Sequence, residues 1–455
     1  MKQRACIYCG ITENLSDSDI IPDALTNAKV INKNVCRIEH NNKFSDLFES
    51  DVIKRLAFIT NELDVKSSKG KTFPKYDTKI VVEGKEYSTT ISSNVELFSD
   101  KRILTSDDGT SKLGSLEQIK KIKAATPESI SEIDINNTVF EEKIPLNLDV
   151  FFSDSMYRLV SKIAYEWYCL CNNVSGKLDA FNNIIDYICL GQGNNPVSLV
   201  SNCELYKLLE DIADFGSHVL ITYIGIDGSV NAIISLFGIA IYNVRLLDKA
   251  VDQCKMNVNF LKLTLDSKRS SFGFNGINEL NDNLSTSFAG KKVGGFTVML
   301  PKNPQDTSLQ YQLMYLSCYG RFQKELKLVD SYDKDLIDLI IEKIHKVINT
   351  STLTLKSLRR FVKDYEKLLS VSSKLNFQTI SNNILIYFYL LYIIGNPLNG
   401  IISFSDLNTF IKAREDSDKV AVNIDRINQI KAEMESDSKY YEYIKNGASA
   451  LQNWQ

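Results

Sequence analysis

The sequence predicts an α+β protein assembled from four stretches, and three observations carry that expectation. Two close pairs of metal-ligand residues, Cys6 with Cys9 and Cys36 with His40, bracket a short segment near the N-terminus. Apolar residues at helical spacing follow them. Further on, β-forming runs are broken by Glu-Gly and Asp-Gly, residue pairs that close tight hairpins. The expected division is a small metal-stapled domain over 1–60, a β-hairpin module or linker over 61–150, a mixed domain of helix and antiparallel strand over 151–301, and a mainly helical domain over 302–455.

Composition narrows the class. The chain has 455 residues, room for roughly three domains of about 150 residues each. Hydrophobic residues make up 44% and charged residues 24%, a mix that excludes disordered and fibrous proteins. A net charge of −3 excludes a chain that coats nucleic acid over its whole surface, though not one with a local basic face. The longest apolar run, Ile384–Ile394, is about half of the roughly 20 residues a membrane-spanning helix needs. It is expected to be a buried helix, with no membrane partner. The opening MKQRACIYCG has too short an apolar stretch for a secretory signal, so a cytoplasmic location is expected.

Along the chain, FSDLFESDVIKRLAFI places Phe44, Leu47, Phe48, Val52, Leu56 and Ile59 at helical spacing. TKIVVEGKEYSTTI reads as a hairpin turning at Glu83-Gly84. LDVFFSDSMYRLVSKIAYEWYCLC returns to helical spacing, with Asp154 or Ser155 as the expected N-cap. HVLITYIGIDGSVNAIISLFGIAIYNVRL reads as two apolar strands around Asp227-Gly228, and GGFTVML adds another strand. After residue 302 the pattern is mainly helical.

Nine cysteines, an odd number in a long chain without a secretory signal, do not form a disulfide framework. Cys169, Cys171, Cys189, Cys203, Cys254 and Cys318 lie mostly in apolar contexts and behave as small hydrophobes. The first three differ. Cys6-x-x-Cys9 and Cys36-x-x-x-His40 each put two ligands on one short turn, and two such turns build a tetrahedral Zn²⁺ site. A structural zinc is therefore expected, the alternative being three buried thiols and a surface histidine.

Together, CIYCGITENLSDSDIIPDALT and NVCRIEHNNKFSDLFE resemble the ββα-metal core of the HNH endonuclease family, in its zinc-stapled subgroup. The resemblance is close over residues 1–55 and weaker, to larger proteins of that family, as far as about residue 250. It implies hydrolysis of a nucleic-acid phosphodiester, DNA in the first instance, with Mg²⁺ or Mn²⁺ stabilising charge on the phosphate and on the leaving oxygen. It implies Asn34 as the residue that pins the loop and Asn41 as a helix-borne ligand of the catalytic ion. Asn42 and Asp17 are further candidates for that ion. His40 either closes the zinc site or ligates the catalytic ion. Lys29, Lys33, Arg37 and Lys43 surround these positions and would neutralise a nucleic-acid backbone. Large HNH proteins of this kind resemble prokaryotic antiviral defence effectors.

One position departs from the family. Directly before Ile-Ile-Pro, where the family carries its general-base histidine, this chain has Asp19. An ordinary aspartate is a base weaker than histidine by roughly 2.6 pKa units, so this form of the site is expected to be slow or inactive. Natural divergence and an introduced substitution are both open. Three functions follow: an endonuclease, a nucleic-acid-binding protein that keeps only its zinc, and a protein that docks a partner or a second copy through its C-terminal helical region. Elsewhere, Lys356, Arg359, Arg360, Lys363 and Lys367 form a basic run read as a solvated helix face rather than a phosphate contact. Arg158 and Lys162, one helical turn apart, are placed on a helix rather than in a groove beside the site. His218 and His345 are expected to be structural.

Overall fold

A computed structural model describes residues 3–26, 28–62, 74–91, 103–122, 130–132, 140–200, 217–225, 227–250, 424–436 and 441–452, with the short strands at 259–263, 269–270, 285–286 and 295–302 and the single residues 65, 205, 209, 387, 388, 390–392 and 395. The basic run over 356–367, His345, Cys203, Cys254 and Cys318 lie outside the described residues.

The chain is a mixed α/β protein with several small sheets. Near its start, β1 (Leu15–Asp19) pairs antiparallel with β2 (Ile31–Cys36). The register slips between Ser16 and Ser18: Lys33 and Asn34 of β2 form a bulge opposite the single residue Asp17 of β1. Helical turns at Arg37–Asn42 and Ser45–Glu49 lead into α1 (Ser50–Arg55) and α2 (Ala57–Glu62). Both lead-in turns are wide, of the π type, a form that concentrates at functional sites. Phe44, Phe48, Val52, Leu56 and Ile59 of the expected apolar stripe are buried, while Leu47 faces outward.

Next come β3 (Tyr76–Val82) and β4 (Lys85–Ile91). Their turn residues Glu83 and Gly84 both have positive φ, 49° and 77°, as a tight hairpin of right-handed strands demands. A short hairpin of β5 (Leu104–Thr105) and β6 (Lys112–Leu113) and the one-turn helix α3 (Leu116–Lys120) follow. The strands β7 (Phe140–Asn147) and β15 (Gly295–Lys302) complete a four-stranded antiparallel sheet of order β15-β7-β3-β4.

The long helix α4 (Asp154–Cys171) lies at the centre of the core. Its N-cap is Ser153, whose hydroxyl accepts from the Met156 amide at 3.2 Å. The expected caps, Asp154 and Ser155, sit instead inside the first turn. From Met156 to Cys169 only Arg158 escapes full burial, the signature of a helix covered on all sides. It packs against the wide turn at Ser45–Glu49, against α1 and β2, and against the sheet strands described next. The helix α5 (Asn182–Leu190) lies beside it and ends at Gly191, φ 66°.

The apolar stretch beginning at His218 forms three strands rather than two: β9 (His218–Ile224), β10 (Val230–Leu236) and β11 (Ala240–Leu247). The second reversal falls at Phe237-Gly238, both with positive φ. With β8 (Val197–Val200), β12 (Asn259–Leu263), β13 (Arg269–Ser270) and β14 (Ser285–Thr286) they build a seven-stranded antiparallel sheet of order β13-β12-β9-β10-β11-β8-β14. Toward the C-terminus, α6 (Ile424–Glu435) and α7 (Tyr441–Gln452) are helical. Tyr387, Phe388, Leu390, Leu391 and Tyr392 of the long apolar run are helical and buried. Among the described residues, no helix is long and apolar enough to cross a membrane.

Candidate metal centre and the strand beside it

The Cys6–Cys9 turn is tight. The Gly10 amide reaches back to the Cys6 carbonyl at 2.8 Å, and Gly10 takes φ 79°, a conformation L side chains rarely adopt. The turn docks on β2 through the Ile7 amide and the Asn34 carbonyl, and on α4 through the Tyr165 hydroxyl, which donates to the Ile7 carbonyl. Cys36 ends β2, and His40 lies in the wide turn that follows.

These elements bring one ligand atom from each of Cys6, Cys9, Cys36 and His40 within 4.8 Å of all the others. His40 Nδ1 lies 2.9 Å from Cys36 Sγ and 3.7 Å from Cys6 Sγ, and the Cys9 and Cys36 sulfurs are 3.8 Å apart. Bonds of about 2.3 Å to sulfur and 2.0 Å to nitrogen give tetrahedral ligand separations of about 3.5–3.8 Å. The cluster can therefore hold a zinc ion with three thiolates and one imidazole. The His40 ring stacks on Tyr8 at 5.0 Å between centroids, and Phe44 and Tyr165 pack edge-on against Tyr8.

Charge supports the same assignment. Burial pushes the Cys36 thiol up to about 12, and the negative Cys6 beside it pushes the same way. Burial also raises Cys9. Burial opposes ionisation of Cys6 too, but the His40 ring and the amides of Cys36, Tyr8 and Cys9 outweigh it, drawing that thiol down to about 6. One anion among three sulfurs suits the protein alone. A divalent cation lets all three ionise, with release of their protons.

Asp17 is exposed opposite the β2 bulge, and Asp19 ends β1 with its carboxylate 3.8 Å from Lys29 Nζ. Asn41 donates its amide to Ser16 Oγ and to the Asp17 carbonyl, each at 3.1 Å, so it ties this stretch of β1 to the helical turn. Asn34 donates instead to the Val174 carbonyl at 2.9 Å, beyond the end of α4. The tie to β1 thus comes from Asn41. Asn42, Lys29, Lys33, Arg37 and Lys43 are exposed, and Lys43 pairs with Glu39. No second group of three or more His, Cys, Asp or Glu side chains gathers among the described residues.

Sequence reasoning missed a buried polar network on α4. Ser18 donates to both Glu166 oxygens, at 3.0 and 3.2 Å, and Tyr8 donates to Oε1 at 3.1 Å. The Asn32 amide reaches the Glu166 carbonyl at 3.0 Å. Lys162 Nζ lies 3.0 Å from Glu49 and 3.8 Å from Glu166. Burial raises Glu166 to about 7, against the pull of Lys162 and Ser18. Burial would also strip the Lys162 proton, but Glu166 and Glu49 outweigh it and hold the lysine charged. Arg158 donates to the Ile188 and Cys189 carbonyls and lies 5.1 Å over Phe48, closing the end of α5. His218 bridges the Leu25 carbonyl and the Phe237 amide, and burial lowers it to about 4. The one advance signal of the network was a Lys and a Glu one turn apart in an otherwise apolar helix.

Compared with known proteins, the chain matches no family model, no curated protein and no solved structure.

Proposed function

We propose that residues 3–62 form an HNH-type ββα-metal core built for metal-dependent hydrolysis of nucleic-acid phosphodiesters, with Asp19 in the place of the water-activating base. The supporting observation is the arrangement of a bulged hairpin, a following helix and a four-ligand clasp. Cys6, Cys9, Cys36 and His40 hold the base of the hairpin, Asn41 ties β1 beside the bulge, and Asp19 ends the same strand. In this reading Asp19 would take the proton from water, and Mg²⁺ or Mn²⁺, if bound, would supply charge stabilisation at the phosphate. That ion would draw most of its ligands from water and the substrate, with Asp17 and Asn41 the nearest protein candidates. DNA is the proposed substrate, the exposed Lys29, Lys33, Arg37 and Lys43 its backbone contacts, and antiviral defence the proposed setting in the cytoplasm.

The test is Asp19→His in the full, zinc-loaded chain, assayed on plasmid and linear DNA and on RNA with Mg²⁺ or Mn²⁺. Cleavage by the variant well above the parent is expected. Intact substrates under all these conditions would sink the nuclease reading. One observation favours a second reading, in which the core binds nucleic acid or a partner without cutting: Lys29 already faces the Asp19 carboxylate. Under that reading Asp19→His leaves DNA uncut while salt-dependent binding persists.

A further inference from the structure

The zinc clasp holds only one end of the hairpin. Leu15 pairs with Cys36, whereas Asp19 pairs with Ile31, and at about 3.4 Å per residue the two ends lie roughly 13 Å apart. A bulge in β2, opposite Asp17, interrupts the ladder between them, and a bulge locally disrupts and bends a strand pair. Beyond its own short stretch of ladder, the Asp19 end lies out of the clasp's reach.

Lys162 is the group in place to fix it. It is 1% exposed, which a lysine tolerates only when paired. Its ammonium has three donors, and four acceptors surround it: Glu49 at 3.0 Å, Glu166 at 3.8 Å, and the carbonyls of Asp19 at 2.5 Å and Ile20 at 3.4 Å. Glu49 is the close carboxylate partner of that charge, and the shortest contact of all is the bond to the Asp19 carbonyl on the strand. It fixes the rigid peptide plane between Asp19 and Ile20. Ser18, one residue earlier, points inward to Glu166, and alternation along the strand turns the Asp19 side chain the other way. One helix thereby sets the direction of that carboxylate.

We propose that Lys162 is a positioning residue: it fixes the Asp19 end of β1 from inside α4, so the body of the protein, not the zinc clasp, aims the reacting side chain. The catalytic consequence rests on the nuclease reading; the contact itself does not. The experiment compares Lys162→Met and Lys162→Arg in the full, zinc-loaded chain, each also combined with Asp19→His. Hydrogen exchange over residues 15–22 should rise about tenfold or more in Lys162→Met, with zinc content and exchange over 5–12 unchanged. With Asp19→His, Lys162→Met should lower kcat about tenfold to a hundredfold at constant KM, and Lys162→Arg should recover part of both effects. Unchanged exchange over 15–22, an increase spread evenly over α4, or a kcat equal to that of Asp19→His alone overturns the proposal. If no Asp19→His protein cleaves, the nuclease reading fails and exchange decides the clamp by itself. Should Lys162→Met not fold, adding Glu166→Gln removes one stranded buried carboxylate and keeps the same exchange test.

Discussion

The hairpin β3–β4 closes on two residues and keeps its register unbroken from Tyr76↔Ile91 to Val82↔Lys85. The hairpin β1–β2, by contrast, spans a long loop, carries a bulge in β2 opposite Asp17, and is fastened by groups outside it at both ends and beside the bulge. Cys6, Cys9 and His40 hold one end, Asn41 the stretch beside the bulge, and Glu166 and Lys162 the other end. The turn and register of the regular hairpin are set locally, by its turn chemistry and its alternation, although β7 pairs along its β3 edge. The irregular one relies in addition on side chains that arrive from elsewhere in the chain.

Removing the metal breaks this contrast most severely. Structural zinc contributes on the order of 10 kcal/mol in small zinc domains. Chelation should therefore abolish exchange protection over 3–62 while β3–β4 keeps its own. Peptide-level hydrogen exchange with a metal count checks this, and protection that survives in metal-free protein would contradict a structural role.

A smaller effect separates the α4 network from the clasp. Glu166 is raised from 4.5 to about 7, so the folded state holds that proton more tightly than the unfolded state. Its contribution to stability is complete at low pH and declines as pH rises toward about 7. His218 is lowered from 6.5 to about 4, so its contribution is complete above 6.5 and is lost as pH falls. The two slopes oppose each other between 4.5 and 6.5. Glu166→Gln should remove the first and expose the second, giving urea midpoints that rise steadily with pH through that window. A pH profile identical to that of the parent would mean the carboxyl is not held neutral.

The smallest effect belongs to the regular hairpin. Gly84 has φ 77° and nothing within 4 Å of where a Cβ would stand, so Gly84→Ala meets only the left-handed backbone cost of about 1–2 kcal/mol. Thermal denaturation should show that loss, with exchange over β1–β2 unchanged. Destabilisation of both hairpins together would erase the distinction drawn between them.

The same distinction explains what the sequence made legible. The Glu83-Gly84 turn and the Cys-x-x-Cys and Cys-x-x-x-His pairs are short-range patterns whose chemistry lies within a few residues. The reversal at Phe237-Gly238 was missed because Phe in the left-handed region, φ 56°, is no turn signal, and two strands were expected where three exist. Ser153 rather than Asp154 caps α4 because its extended backbone and hydroxyl meet the Met156 amide, a choice among adjacent polar residues that composition does not make. Ser18, Glu49, Lys162 and Glu166 carried no shared pattern. They meet only because α4 packs across the hairpin.

The distance along the chain between β1 and the helix that fastens it also orders events during synthesis. The ligands Cys6 to His40 precede the β3–β4 module in the chain, while Lys162 and Glu166 follow it and are made later. At about 5–20 residues per second, the ribosome leaves the hairpin several seconds with a metal clasp but no wall behind it. During that interval Ser18 and the Asp19 carbonyl face solvent, and the strand end is unaimed. The strand end takes its final direction only once its own downstream helix has been made and packed.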